Sequence, residues 1–171
     1  MSTIRPCPLP DISLLGRYRL QPGAYTDCYS TDIAGTVTQA DFVEAFYTTS
    51  VFKLERAILQ WAVSKPSTDA QATLLARGAL DAFSAWTVED RRDDQLLLCD
   101  LHGRTRSWLM AIPAESGNGT RLYFGSAVVP AKGSESSADI GTGFRSLLGF
   151  HKVYSKILLK AAVARLQRRN G

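Results

Sequence analysis

Apolar residues along this chain recur with two periods, and the change from one to the other marks out its elements. Over Thr142–Arg169 the spacing is helical. Set about 100° apart per residue, Leu147, Phe150, Tyr154, Ile157, Leu158 and Ala161 share one arc, and Arg145, Lys152, Lys156 and Lys160 share the opposite one. This predicts a long helix buried on one side. His151 falls on the apolar arc with Phe144 and Tyr154, so an ionisable ring is expected to face whatever the helix covers.

After Gly78 the period is two. Residues 82–89 read as one strand around Trp86 and Val88, 90–94 as a charged turn, and 95–102 as a second strand. Gly103 makes a tight turn into 105–112, and the connection 113–119 leads to a strand over 120–129. Strands that follow one another this closely predict an antiparallel meander with one face under helices.

Upstream, Pro6, Pro8 and Pro10 keep the start of the chain extended. Residues 1–24 are expected to drape over the body as an arm anchored by Ile12, Leu14 and Leu15. Tyr25–Ile33 reads as the first strand. Thr38 followed by Asp41 is a capping-box pattern, and Phe42, Val43, Phe46 and Tyr47 form a stripe at helical spacing. Ser50 caps a second helix carrying Leu54, Ile58 and Trp61 and stopping at Lys65-Pro66. Ser67 or Thr68 starts a third that ends at Gly78. The aromatic stripes read as helix faces packed on a sheet. Residues 130–143, rich in Gly, Ser and Ala, are expected to be a flexible loop. The whole predicts one α+β domain over 1–171: a strand, two or three helices, four or more meander strands, and a long C-terminal helix packed on the sheet.

Composition changes this picture little. With 171 residues, 45% hydrophobic and 21% charged, the chain has the make-up of an ordinary globular protein with a core of its own. The net charge of +4 comes largely from the last helix and its Arg168-Arg169 end, so neither nucleic acid nor a membrane is the expected partner. Cys7, Cys28 and Cys99 are odd in number and widely spaced, which predicts reduced thiols and a cytoplasmic location. The N-terminal residues lack the apolar core of a signal peptide. No nucleotide-binding, nucleophile-elbow or zinc-protease motif is present, and two histidines without clustered acids predict neither a metal nor a cofactor.

The polar residues that could carry chemistry gather on one hairpin. Strand alternation sets Asp100 and His102 on the face that holds Leu96, Leu98, Ser107 and Leu109, and Arg106, Trp108 and Met110 on the other. A carboxylate two residues from an imidazole can orient the ring as a general base, and it can equally serve a turn.

The order Tyr25-Thr26-Asp27-Cys28-Tyr29, a helical region, Asp100-x-His102-x-x-x-Arg106, a strand and a terminal helix with His151 resembles a bacterial domain family of unknown function. That family is similar to helix-grip proteins of the START and pollen-allergen (SRPBCC) type. The resemblance implies a curved antiparallel sheet wrapped on a long C-terminal helix, with a cavity for an apolar ligand between them. Four strands after the helices, where that fold has six, imply an abbreviated sheet. The expected function is therefore binding of a small apolar or aromatic ligand, lined by Trp86, Trp108, Phe124 and Tyr154, with Asp100, His102, Arg106 and His151 as polar contacts. Two alternatives stand beside it: a cyclase or isomerase using the Asp100–His102 pair, and an interaction module using the lysine face of the last helix.

Overall fold

A computed structural model describes residues 3–53, 67–130 and 142–169, with side chains described from residue 153 onward in the last helix. Its strands are β1 (Arg5–Pro6), β2 (Tyr25–Ile33), β3 (Ala82–Phe83), β4 (Trp86–Arg92), β5 (Gln95–Asp100), β6 (Thr105–Pro113) and β7 (Thr120–Val128). The helices are α1 (Gln39–Tyr47), α2 (Asp69–Ala76) and α3 (Thr142–Arg169). All seven strands join one antiparallel sheet in the order β1-β2-β7-β6-β5-β4-β3. β3 to β7 run as a meander, and the early strand β2 returns to pair with β7 along its whole length, from Tyr25↔Val128 to Ile33↔Thr120.

The helix starts follow the capping chemistry. Thr38 Oγ1 accepts the Asp41 N–H at 3.1 Å, and the Asp41 carboxylate accepts the Thr38 N–H at 3.3 Å. Thr68 and Gln71 repeat this at the start of α2, at 3.2 and 2.9 Å. Gly78, at φ 76°, ends α2 where the chain must turn left-handed. A helical stretch opens at 50–53; Leu54, Ile58 and Trp61, expected to continue it, lie outside the described residues, as does most of the expected loop 130–143.

The strand expected over 82–89 is two strands, which makes five between α2 and α3 among the described residues. Phe83 and Trp86 are three residues apart, so a continuous strand would point them to opposite faces. A tight turn at Ser84, φ 56°, folds β3 onto β4 and pairs Phe83 with Trp86, bringing both to the helix side. The charged segment also differs from expectation: β4 continues to Arg92, with a register shift between Val88 and Asp90. Glu89 is the extra residue of this bulge. Glu89 and Asp90 therefore both reach the same side, where they meet Tyr18, Arg106 and Arg17.

Each face of the sheet has its own core. On one, Tyr29, Ile33, Leu96, Leu98, Leu109, Leu122 and Phe124 pack against α1, α2 and α3. On the other, Leu97, Trp108, Met110, Tyr123 and Ala127 pack beneath the arm residues Leu9, Leu14, Leu15 and Tyr18. The arm is anchored by Leu14 and Leu15, within a 3-10 turn over Leu14–Tyr18; Ile12, expected as a third anchor, is exposed. Gly125 permits the close fit, since a Cβ there would stand 2.8 Å from Leu15 Cδ2 and 2.9 Å from the Trp108 ring.

α3 does cover the sheet, but its buried stripe is rotated from the expected arc. Ser155, Leu158, Leu159, Ala162, Val163 and Leu166 are buried, whereas Ile157 is 45% exposed. The helix packs against α1 as well as β2 and β7, and that second neighbour turns the buried face toward Leu159 and Val163. The side chains of Leu147, Phe150 and His151 lie outside those described. No described helix is long and apolar enough to cross a membrane.

Candidate functional site

A cavity of about 270 Å³ opens on the helix side of the sheet. Its walls come from four places: Phe46 and Phe52 after the first cap, Ala85 and Trp86 from the start of β4, Ser107, Phe124 and Ser126 from β6 and β7, and Tyr154, Ser155 and Leu158 from α3. Asp100, Leu101, His102, Thr105 and Arg106 complete it at the β5–β6 turn. The aromatic wall is interlocked: Phe46 meets Phe124 at 4.8 Å between centroids and Phe52 at 6.3 Å, and Phe52 stacks on Phe83 at 6.3 Å. Such contacts hold the wall in one shape without a bound molecule.

The hydroxyls on the sheet floor are committed. Ser107 Oγ lies 2.9 Å from the Tyr47 hydroxyl, and Ser126 donates to the Asp27 carboxylate. Two residues that border the cavity also hold a buried polar atom with no hydrogen-bond partner among the described residues: the Trp86 indole Nε1 and Ser155 Oγ. Ser155 is 1% exposed. Buried donors are almost always satisfied, so two unpartnered ones on residues beside a cavity are candidates to meet a bound group once the wall adjusts to it.

The structure divides the expected site residues. Trp86, Asp100, His102, Tyr154 and Phe124 do border one cavity. Trp108 does not. It sits fully buried on the arm side, its Nε1 donating to Gln95 Oε1 at 2.9 Å, because β6 alternation sends it away from Ser107 and Leu109. Arg106 borders the cavity, but its guanidinium belongs to the arm side: Nε donates to Glu89 Oε2 at 2.8 Å and to the Tyr18 hydroxyl at 2.9 Å, and the group lies over the Tyr18 ring.

Asp100 and His102 are neighbours at the cavity rim without being a pair. β5 ends at Asp100 rather than at residue 102, so His102 lies in the turn, exposed. Asp100 Oδ1 accepts the backbone N–H groups of Arg104 and Thr105 at 2.7 and 2.9 Å, which shapes the turn. No hydrogen bond joins the carboxylate to the ring among the described residues. His102 faces the cavity without the oriented partner that a general base of this kind requires. Among the described residues no group of three His, Cys, Asp or Glu side chains could hold a metal.

Sequence reasoning missed Ser155, whose signal was available: a small polar residue at the i−3 and i−4 positions of Leu158 and Leu159. It also missed Phe52 and Ala85, which enter the wall only through tertiary packing.

No family model matches the chain, and no curated protein matches it.

Proposed function

We propose that this chain binds a small, mainly apolar or aromatic molecule carrying one hydrogen-bond acceptor, in the cavity between the sheet and α3. The observation that carries the reading is the aromatic cavity bordered by Trp86 and Ser155, whose Nε1 and Oγ are buried without a partner among the described residues. The indole can only donate, and the hydroxyl can donate or accept, so a ketone, ester or carboxyl oxygen is the complementary group. A cavity of 150 Å³ accommodates benzene; by that scale one of about 270 Å³ takes a one- or two-ring molecule of about ten heavy atoms.

The element order, with an early strand beside the last strand and a long C-terminal helix across the helix-side face, supports a helix-grip architecture for this binder. The lone position of His102, with Asp100 committed to the turn, favours binding over cyclase or isomerase chemistry. The lysine face of α3 is a weaker candidate, since the Lys156 ammonium already lies over the Tyr29 ring at 5.5 Å.

The test is a thermal-shift and calorimetric titration with α-tetralone against its parent hydrocarbon tetralin. α-Tetralone is expected to bind more tightly, and Trp86→Phe, which keeps an aromatic ring but removes the indole N–H, should weaken α-tetralone by roughly 5–10-fold more than it weakens tetralin. Failure of both compounds to bind at millimolar concentration would sink the reading.

A further inference from the structure

We propose that Cys7 and Cys28 form a redox site, which a peroxide converts to a disulfide that latches the N-terminal arm onto β2. The two residues are 21 apart in the chain but directly opposed in space. β1 pairs with β2 through Arg5↔Ser30 and Pro6↔Tyr29, and the same register carried one residue on sets Cys7 against Cys28. The Cys7 N–H donates to the Cys28 carbonyl at 3.0 Å, and the sulfurs lie 3.3 Å apart. Hydrogen-bonded antiparallel partners have Cα atoms about 5.5 Å apart. That separation falls inside the range a disulfide spans.

The thiols differ in the way such a pair needs. Cys7 is half-buried and borders a cleft with Arg5, Ser30 and Arg121, so a small oxidant can reach it, whereas Cys28 is buried beneath the arm. The hydrogen bond with Cys28, aided by Ser30 and the Arg121 charge, holds the Cys7 thiol down at about 7, against the opposing effect of burial. The same bond, together with burial, pushes Cys28 up. Cys7 is thus the attacking thiolate and Cys28 the resolving thiol. Cys99 lies on β5, separated from β1 by β2, β7 and β6, and burial raises its thiol.

The chemistry balances with the peroxide as oxidant. The Cys7 thiolate attacks one peroxide oxygen, the O–O bond breaks, and the departing hydroxide takes a proton to leave as water, giving a sulfenic acid. The Cys28 sulfur then attacks the Cys7 sulfur; the S–S bond forms, the S–O bond breaks, and hydroxide leaves with the Cys28 proton as a second water. Two thiols are oxidised by two electrons and one peroxide is reduced. The closed loop contains Leu9, Leu14 and Leu15, the residues that cover Trp108, so the oxidised chain holds that core shut. None of this depends on a ligand in the helix-side cavity.

The experiment treats the folded full chain with hydrogen peroxide, quenches in acid under denaturing conditions, labels free thiols with N-ethylmaleimide and maps the peptides by mass spectrometry. The expected result is a Cys7–Cys28 cross-linked peptide lighter by two hydrogens, with Cys99 still labelled. Labelling of Cys7 and Cys28 should fall together by at least ~10-fold and return after dithiothreitol. The oxidised chain should also melt roughly 5 °C higher or more. Over-oxidation of Cys7 with Cys28 still labelled, or cross-links only between chains, would overturn the site; an unchanged melting temperature in the cross-linked chain would overturn the latch.

Discussion

Gln95 and Trp108 are joined across β5 and β6 by a fully buried hydrogen bond, the indole Nε1 donating to Gln95 Oε1 at 2.9 Å. The same oxygen accepts the Leu14 N–H at 2.9 Å, and Gln95 Nε2 donates to the Ile12 carbonyl at 3.1 Å. One side chain thus satisfies the arm backbone and the tryptophan together, which is why this aromatic is a structural anchor rather than part of the cavity. Gln95→Leu should strand the Leu14 and Trp108 donors and destabilise the fold by about 2–4 kcal/mol. Urea melts would measure the loss, and hydrogen exchange should show lost protection at the Leu14 amide; unaltered exchange there would contradict the role given to Gln95.

Ser155 makes the opposite prediction. Its hydroxyl is buried on a helix without a partner among the described residues, so Ser155→Ala removes an unsatisfied group and improves helix propensity. The variant is expected to be more stable by about 1 kcal/mol, with weaker binding of α-tetralone. A destabilised variant in a thermal melt would show that the hydroxyl is already satisfied in the empty protein.

Acid should weaken the fold through particular pairs. Arg121 hydrogen-bonds Asp32 and holds its carboxyl below the ordinary 3.8, and Arg17 does the same for Asp90 at the arm. A carboxyl whose folded value is depressed contributes stability that is complete above its unfolded value and is lost as pH falls through the lower folded one. Urea midpoints are therefore expected to drop as pH is lowered below about 4, and the drop should be shallower in Asp32→Asn and Asp90→Asn. An identical slope in both variants would remove these pairs from the account.

Thiol reactivity should separate the cysteines by pH. The rate of Cys7 alkylation is expected to rise through a midpoint of about 7 as its thiolate forms, whereas Cys99, raised by burial, should respond only above the ordinary thiol value of 9.0. In Cys28→Ala the Cys7 midpoint should move upward, because the hydrogen bond that holds its thiol down is removed. Peptide-resolved iodoacetamide kinetics would decide between these profiles and a common midpoint.

Local structure was legible in the residues themselves. Thr38 with Asp41 and Thr68 with Gln71 cap helices through atoms three residues apart, and β2 and the strands around Leu96, Leu109 and Phe124 follow from alternation; each depends on neighbours in sequence alone. The partition of the β5–β6 hairpin into a Leu98–Ser107 face and a Trp108–Met110 face was readable for the same reason.

Three further features were decided only when the chain folded. Which face the helices would take could not be read from parity, because both faces are apolar; the arm settles it by covering Trp108 and leaving Trp86 to the cavity. The break at Ser84 and the bulge at Glu89 exist to bring residues to a shared side of the sheet, and no local propensity encodes that demand. The meeting of Cys7 with Cys28 has the same origin. Spacing along the chain described two unrelated thiols, and the register of a two-residue strand placed their sulfurs in contact. Patterns of side-chain period are set by backbone geometry within a few residues, whereas burial, partners and reactivity depend on what the rest of the chain places opposite them.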